Sequence, residues 1–170
     1  MSIQDKNNLF LAVIERHKGI LYKVANSYCK GDEDRKDLIQ EIIFQLWKSF
    51  EKYDETHQYS TWIYRISLNV AISFYREEST RTKILNPLSE GVFNLSDSHS
   101  FDEKESNLTT LQQFIAELKD LDKALMLLYL EEKSYKEMAE IMGISESNVA
   151  TKIARIKVKL KEKFSQLKSY

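Results

Sequence analysis

Cations and aromatic rings at helical spacing are the residues of this sequence that could do chemistry, and that chemistry is contact with a polyanion. Near the C-terminus Lys152, Arg155, Lys157, Lys159, Lys161 and Lys163 crowd together, and from Ser147 onward Glu162 is the single acidic residue, although the whole chain carries a formal net charge of -1. Earlier, the run YSTWIYRISLNVAISFYR interleaves Tyr59, Trp62, Tyr64, Phe74 and Tyr75 with Arg65 and Arg76. Aromatic faces accept unpaired bases, and cations follow a phosphate backbone. Asn69 stands in that run among Ser67, Leu68, Val70 and Ala71. As a poor helix former with both a donor and an acceptor, it suits the reading of a base edge at a helix break. A plainer use of the same residues stays open: Trp62 and Ile66, four apart, pack as core, and the lysines form a solvated face.

Other chemistries find no support. Cys29 is the lone cysteine, a helical thiol without a surrounding motif, and His17, His57 and His99 are too scattered for metal-ligand spacing. No glycine-rich phosphate loop and no catalytic arrangement of carboxylates occurs, so neither cofactor, metal nor small-molecule substrate is expected.

The basic cluster needs an element to aim it, and SYKEMAEIMGISESNVATKIARIKVKLKEKF supplies one: two short helices, a tight turn between them, then a basic tail. Met138, Ala139 and Met142 recur at helical spacing before Gly143, where a left-handed residue ends a helix. Ser145 caps the next helix, accepting from the N–H of residue 147 or 148, with Glu146 at the positive end of its dipole. Val149, Ile153, Ile156 and Leu160 make the buried stripe. Ala139, Gly143 and Val149 follow the helix-turn-helix order: a small residue for close approach, a glycine for φ > 0, and an aliphatic lock.

A length of 170 residues suits one medium or two small domains, and one proline with four glycines leaves long helical patterns, so the expected fold is all-α. With a single cysteine, no signal peptide and no apolar run near about 18 residues, a reducing cytoplasm is expected. Leu9, Phe10, Val13, Ile14, Ile20, Leu21, Val24 and Ala25 predict a helix from about residue 6 to 29, which Lys30, Gly31 and Asp32 break. A second helix, Asp34 to Phe50, puts Leu38, Ile39, Ile42, Ile43, Leu46, Trp47 and Phe50 on one broad face and leaves Asp37, Gln40, Glu41 and Lys48 polar. Residues 52–58 read as a polar turn. Residues 83–107 hold the sole proline, Pro87, and the acidic Glu90, Asp97, Asp102, Glu103 and Glu105, which predicts a linker. Periodicity resumes from Leu108 to Glu132 with Leu111, Phe114, Ile115, Leu118, Leu121, Leu125, Leu128 and Tyr129, helices that cover the helix-turn-helix.

DEDRKDLIQEIIFQLWKSF, then YSTWIYRISLNVAISFYR, then SYKEMAEIMGISESNVATKIARIKVKL, in that order, resemble the extracytoplasmic-function group of sigma-70-type sigma factors from about Leu9 to Phe164. The resemblance implies two helical domains, a region 2 domain over 1–82 and a region 4 domain over 108–170, with a flexible linker over 83–107 that either merely tethers them or threads toward the RNA exit channel. It implies core RNA polymerase and promoter DNA as partners, with an anti-sigma factor as regulator. Asp37, Gln40 and Glu41 would face the polymerase clamp helices. Tyr59, Arg65, Asn69, Tyr75 and Arg76 would read and melt the minus-10 element, with Asn69 in a loop that captures a flipped base. Ser147, Asn148, Thr151, Lys152, Arg155 and Lys157 would read the minus-35 duplex.

Departures from the family pattern bear on specificity. Ser147, Asn148 and Val149 replace a frequent Gly-Thr-Val, and Ala150 stands where a basic residue is common, so a phosphate contact is lost and preference shifts toward what Asn148 reads, adenine being the natural pair of Asn. Ser73 takes the place of a frequent acidic residue in the minus-10 helix. A stand-alone helix-turn-helix regulator would explain the C-terminal half but leaves the aromatic run and the Asp37–Glu41 ridge without a use.

Overall fold

A computed structural model of the protein describes residues 1–85 and 103–169, with side chains described for 1–76 and 106–169. The described residues form helices only: α1 (Ile3–Tyr28), α2 (Asp32–Ser49), a 3-10 turn (Phe50–Lys52), α3 (Tyr59–Leu85), α4 (Glu103–Ala116), α5 (Asp120–Leu130), α6 (Tyr135–Met142) and α7 (Glu146–Leu167).

Helix α1 begins ahead of its apolar period because Ser2 and Asp5 close a capping box, each satisfying a backbone N–H of the other. The break at Gly31 is tied down by Arg35, which donates to the carbonyls of Cys29 at 3.2 Å and Lys30 at 2.8 Å and to the Asp32 carboxylate at 2.8 Å. Helices α1, α2 and α3 pack together around Val24, Leu38, Ile42, Leu46, Ile63 and Leu68, all essentially without exposure. On α2 only Leu38, Ile42 and Leu46 of the broad predicted face are buried within the helix, while Trp47 stays 37% exposed against Phe10.

Helix α3 runs without interruption through Leu85, so the predicted helix break at Asn69 does not exist. Between Tyr59 and Pro87 the sequence offers neither glycine nor proline to stop a helix, and one asparagine costs too little to do so. The predicted linker also loses its ends: α3 continues past residue 82, and α4 starts at Glu103 rather than after 107. Glu103 and Glu105, counted toward an irregular segment, lie in the first turn of this helix. Pro87, Glu90, Asp97 and Asp102 lie outside the described residues.

Helices α4 to α7 build the second half around Leu125, Leu128, Met138, Val149, Ile153 and Ile156. The helix-turn-helix is as the sequence predicts. Ser134 and Glu137 form a capping box, Gly143 has φ 68°, and Val149, Ile153, Ile156 and Leu160 are the buried residues of α7. The basic tail is not a separate segment; it continues α7 to Leu167. The halves are in contact, with α5 and α6 packed on α3.

Candidate nucleic-acid interface

The N-terminal turns of α7 are aimed by their cap. Ser145, in extended conformation, accepts from the Asn148 N–H at 3.1 Å and lies 3.2 Å from the Ser147 hydroxyl, and Thr151 donates to the Ser147 carbonyl at 2.9 Å. Ser147, Asn148, Thr151 and Arg155 are exposed and Lys152 half-exposed, one turn apart on the same side of the helix. Such a face offers an amide, hydroxyls and cations to base edges and phosphates at once. Lys157 does not share it. Its ammonium lies 4.4 Å from the centre of the Tyr129 ring on α5, and hydrogen bonding to that side chain raises its pKa. It follows Ile156 directly and so borders the buried stripe.

In the first half, α2 and α3 line a groove of about 950 Å³. Asp37, Gln40 and Glu41 stand along its α2 side, all exposed, with Glu41 accepting from Gln45 at 2.8 Å. Asn69 and Ser73 face them from α3, so the residue expected to read a base and the ridge expected to meet polymerase open onto one groove. Phe44, 53% exposed on the same groove with the Lys48 ammonium 5.3 Å from its ring, went unmarked in the sequence. Its off-stripe place on α2 was the signal.

The other members of the aromatic and arginine run are occupied. Tyr59 stacks on Tyr53, with ring centres 4.4 Å apart, and Trp62 packs among Phe50 and Tyr53 while partly buried against the core, as the plainer reading had it. Ile66 is likewise packed on the core. Arg65 donates to the Glu140 carbonyl, and Arg76 donates to the Asp120 carboxylate at 2.7 Å. The ammonium of Lys123 lies 5.0 Å from the Tyr75 ring centre and 5.1 Å from that of Tyr28, the two rings meeting edge to face with centres 6.4 Å apart. Lys123 is 4% exposed, and burial lowers its pKa against the opposing pull of Asp120. Tyr64, buried on the same helix, has its hydroxyl pushed up to about 12 by burial, with Glu131 adding to it. Among the described residues no cluster of histidine, cysteine and carboxylate fit to hold a metal occurs, and no helix is long and apolar enough to cross a membrane.

Comparison with known proteins settles what the two halves are. The Sigma-70 region 2 family matches residues 13–81, and Sigma-70, region 4 matches residues 108–160. Two curated relatives span nearly the whole chain: the ECF RNA polymerase sigma factor SigM of Bacillus subtilis, 27% identical over 91% of this chain and 94% of its own, and the RNA polymerase sigma factor SigV of the same organism, 28% identical over 89% of each. This chain belongs to the extracytoplasmic-function sigma factors. The solved structure of CnrH in complex with the cytosolic domain of CnrY shares the fold of this sigma factor, with a TM-score of 0.66 and 19% identity over 94% of this chain and 90% of that one. The sigma factor RpoE of Bartonella quintana, in complex with the anti-sigma factor NepR, gives 0.62 at 20% identity over 94% and 96%. The function is promoter-directed initiation of transcription, and the family consists of initiation factors that are not enzymes. Since region 2 accounts for the N-terminal half, a stand-alone regulator no longer explains the chain.

Proposed function

We propose that this sigma factor meets core RNA polymerase through the α2 side of the groove, at Asp37, Gln40 and Glu41, and reads the minus-35 duplex with Ser147, Asn148, Thr151, Lys152 and Arg155. The observation that carries the reading is the exposed polar face of α7, fixed by the left-handed turn at Gly143 and the Ser145 cap. Residues up to the end of α3 form the polymerase-binding and minus-10 unit, and α4 to α7 the minus-35 unit. Asn69, on a continuous helix, works as a groove-lining side chain and not as part of a loop. Tyr59, Arg65, Tyr75 and Arg76 reach the minus-10 strand once their intramolecular partners release them. Lys157, held on Tyr129, supports α7 from behind.

The protein works in the cytoplasm, where polymerase is, and an anti-sigma factor controls it; CnrH and RpoE are each described in complex with such a protein or its cytosolic domain. Reversing the charge at Glu41, an exposed residue with one local hydrogen bond, tests the polymerase side. Glu41→Lys should weaken the complex with core polymerase while leaving the thermal midpoint unchanged. Unaltered affinity would remove the ridge from the interface.

A further inference from the structure

Helix α2 carries an aromatic ring that its own packing does not use. The buried stripe of the helix is Leu38, Ile42 and Leu46. Phe44 stands two residues from both Ile42 and Leu46, about half a turn round the helix from each, so it lies on the side away from the core. It belongs neither to the buried core nor to the apolar residues packed on it, and it is 53% exposed. The helical period also sets its neighbours on that outer side. Asp37, Gln40 and Glu41 come seven, four and three residues before it, and Trp47 and Lys48 come three and four after it, all of them exposed. The ring therefore sits at the middle of the ridge, with the Lys48 ammonium 5.3 Å from its centre. In the groove beside it, α3 contributes Ile66, Val70 and Phe74.

An exposed aromatic at the centre of a polar face has the anatomy of an interface core. The energy of protein association concentrates in a few central aromatic or arginine side chains, while the polar groups around them exclude water and match the partner's charge. We propose that Phe44 is the apolar anchor of the contact with core RNA polymerase. Its ring enters a recess of apolar side chains on the polymerase surface, and Asp37 and Glu41 meet lysine or arginine at the rim of that recess. The proposal rests on the polymerase reading of the Asp37–Glu41 ridge and adds to it the residue that supplies most of the affinity. The two kinds of contact differ in their response to salt. Exposed charges are screened by it, whereas the burial of a ring is not.

The test measures the affinity of the full chain for core polymerase at low and at high salt. Phe44→Ala should weaken the complex about thirtyfold, as truncation of a central aromatic does, and the loss should persist at high salt. Its thermal midpoint should equal that of the wild type, because the ring is outside the core. Glu41→Lys should lose affinity mainly at low salt. A second readout does not depend on how well the alanine variant folds: p-benzoylphenylalanine at position 44 should crosslink to a polymerase subunit on irradiation, and excess wild-type protein should suppress the crosslink. Full affinity in Phe44→Ala, a loss confined to low salt, or no crosslink from position 44 would each overturn the proposal. If Glu41→Lys still weakens the complex in that event, the ridge reading stands without its anchor; if both variants bind as the wild type does, the ridge reading falls as well.

Discussion

Asn69 and Ser67, two residues apart on α3, show how differently polar groups behave on one helix. Asn69 is exposed in mid-helix, capping nothing, so Asn69→Ala should leave the thermal midpoint unchanged or slightly higher, alanine being the better helix former by roughly 0.5 kcal/mol. Its cost should fall on promoter opening: initiation from duplex templates drops, a pre-melted template recovers part of it, and preference at one minus-10 position is reduced. A lower midpoint with intact preference would make Asn69 a structural residue. The Ser67 hydroxyl, by contrast, is fully buried with no hydrogen-bond partner among the described residues. An unsatisfied buried hydroxyl costs about 1–3 kcal/mol, so Ser67→Ala should raise the melting temperature, and a fall would mean that the hydroxyl is satisfied in solution. The basic residues of α7 divide in the same manner. Alanine at Arg155 should lower the salt slope of minus-35 binding by roughly 1, whereas alanine at Lys157 should leave that slope in place and act on packing against Tyr129. The division was half visible beforehand. Stripe membership of Val149, Ile153, Ile156 and Leu160 is a matter of period, but Lys157 is claimed by a ring on another helix, and no spacing reveals that.

At the scale of the element, what was legible is what is local. The helix-turn-helix was readable because its devices are local, Gly143 at the turn and Ser145 with Asn148, while the equally local box of Ser134 with Glu137 went unmarked in the sequence. Gly143 has φ 68° with nothing within 4 Å of where a Cβ would stand, so Gly143→Ala meets only backbone strain and should cost about 1–2 kcal/mol, read as a drop in the denaturation midpoint. The Glu137 carboxyl is held below the usual range by the Ser134 backbone N–H. A depressed carboxyl stabilises the fold above its unfolded pKa and ceases to do so as pH falls through the folded one, so the start of α6 should fray on acidification, as amide exchange would report. Helix ends were less legible. The end of α3 depends on where a chain with no breaker stops before Pro87, and the start of α4 turned on whether Glu103 and Glu105 are read as acidic linker or as favourable first-turn charges.

For the whole molecule, length left one medium or two small domains open and the family resemblance implied two helical halves, and a half of about 60 residues buries only about 60% of its unfolded surface, leaving it marginal alone. The packing of α5 and α6 on α3 is consistent with that need. Nothing in the sequence could show it, because Tyr28 and Asp120, or Arg65 and Glu140, meet across the length of the chain. The consequence reaches the functional surfaces: the Asp37–Glu41 ridge and the α7 face stand open, while Arg65, Tyr75 and Arg76 are engaged. The most direct test of promoter reading is transcription by core polymerase with this protein from a library of templates randomised over the minus-35 and minus-10 elements, with the transcripts sequenced. Wild type should select a defined pair of elements, and Asn148→Ala should relax selection at a minus-35 position while leaving the minus-10 preference intact. Selection that is unchanged by Asn148→Ala, or that disappears at both elements together, would contradict the assignment of the α7 face to the minus-35 duplex.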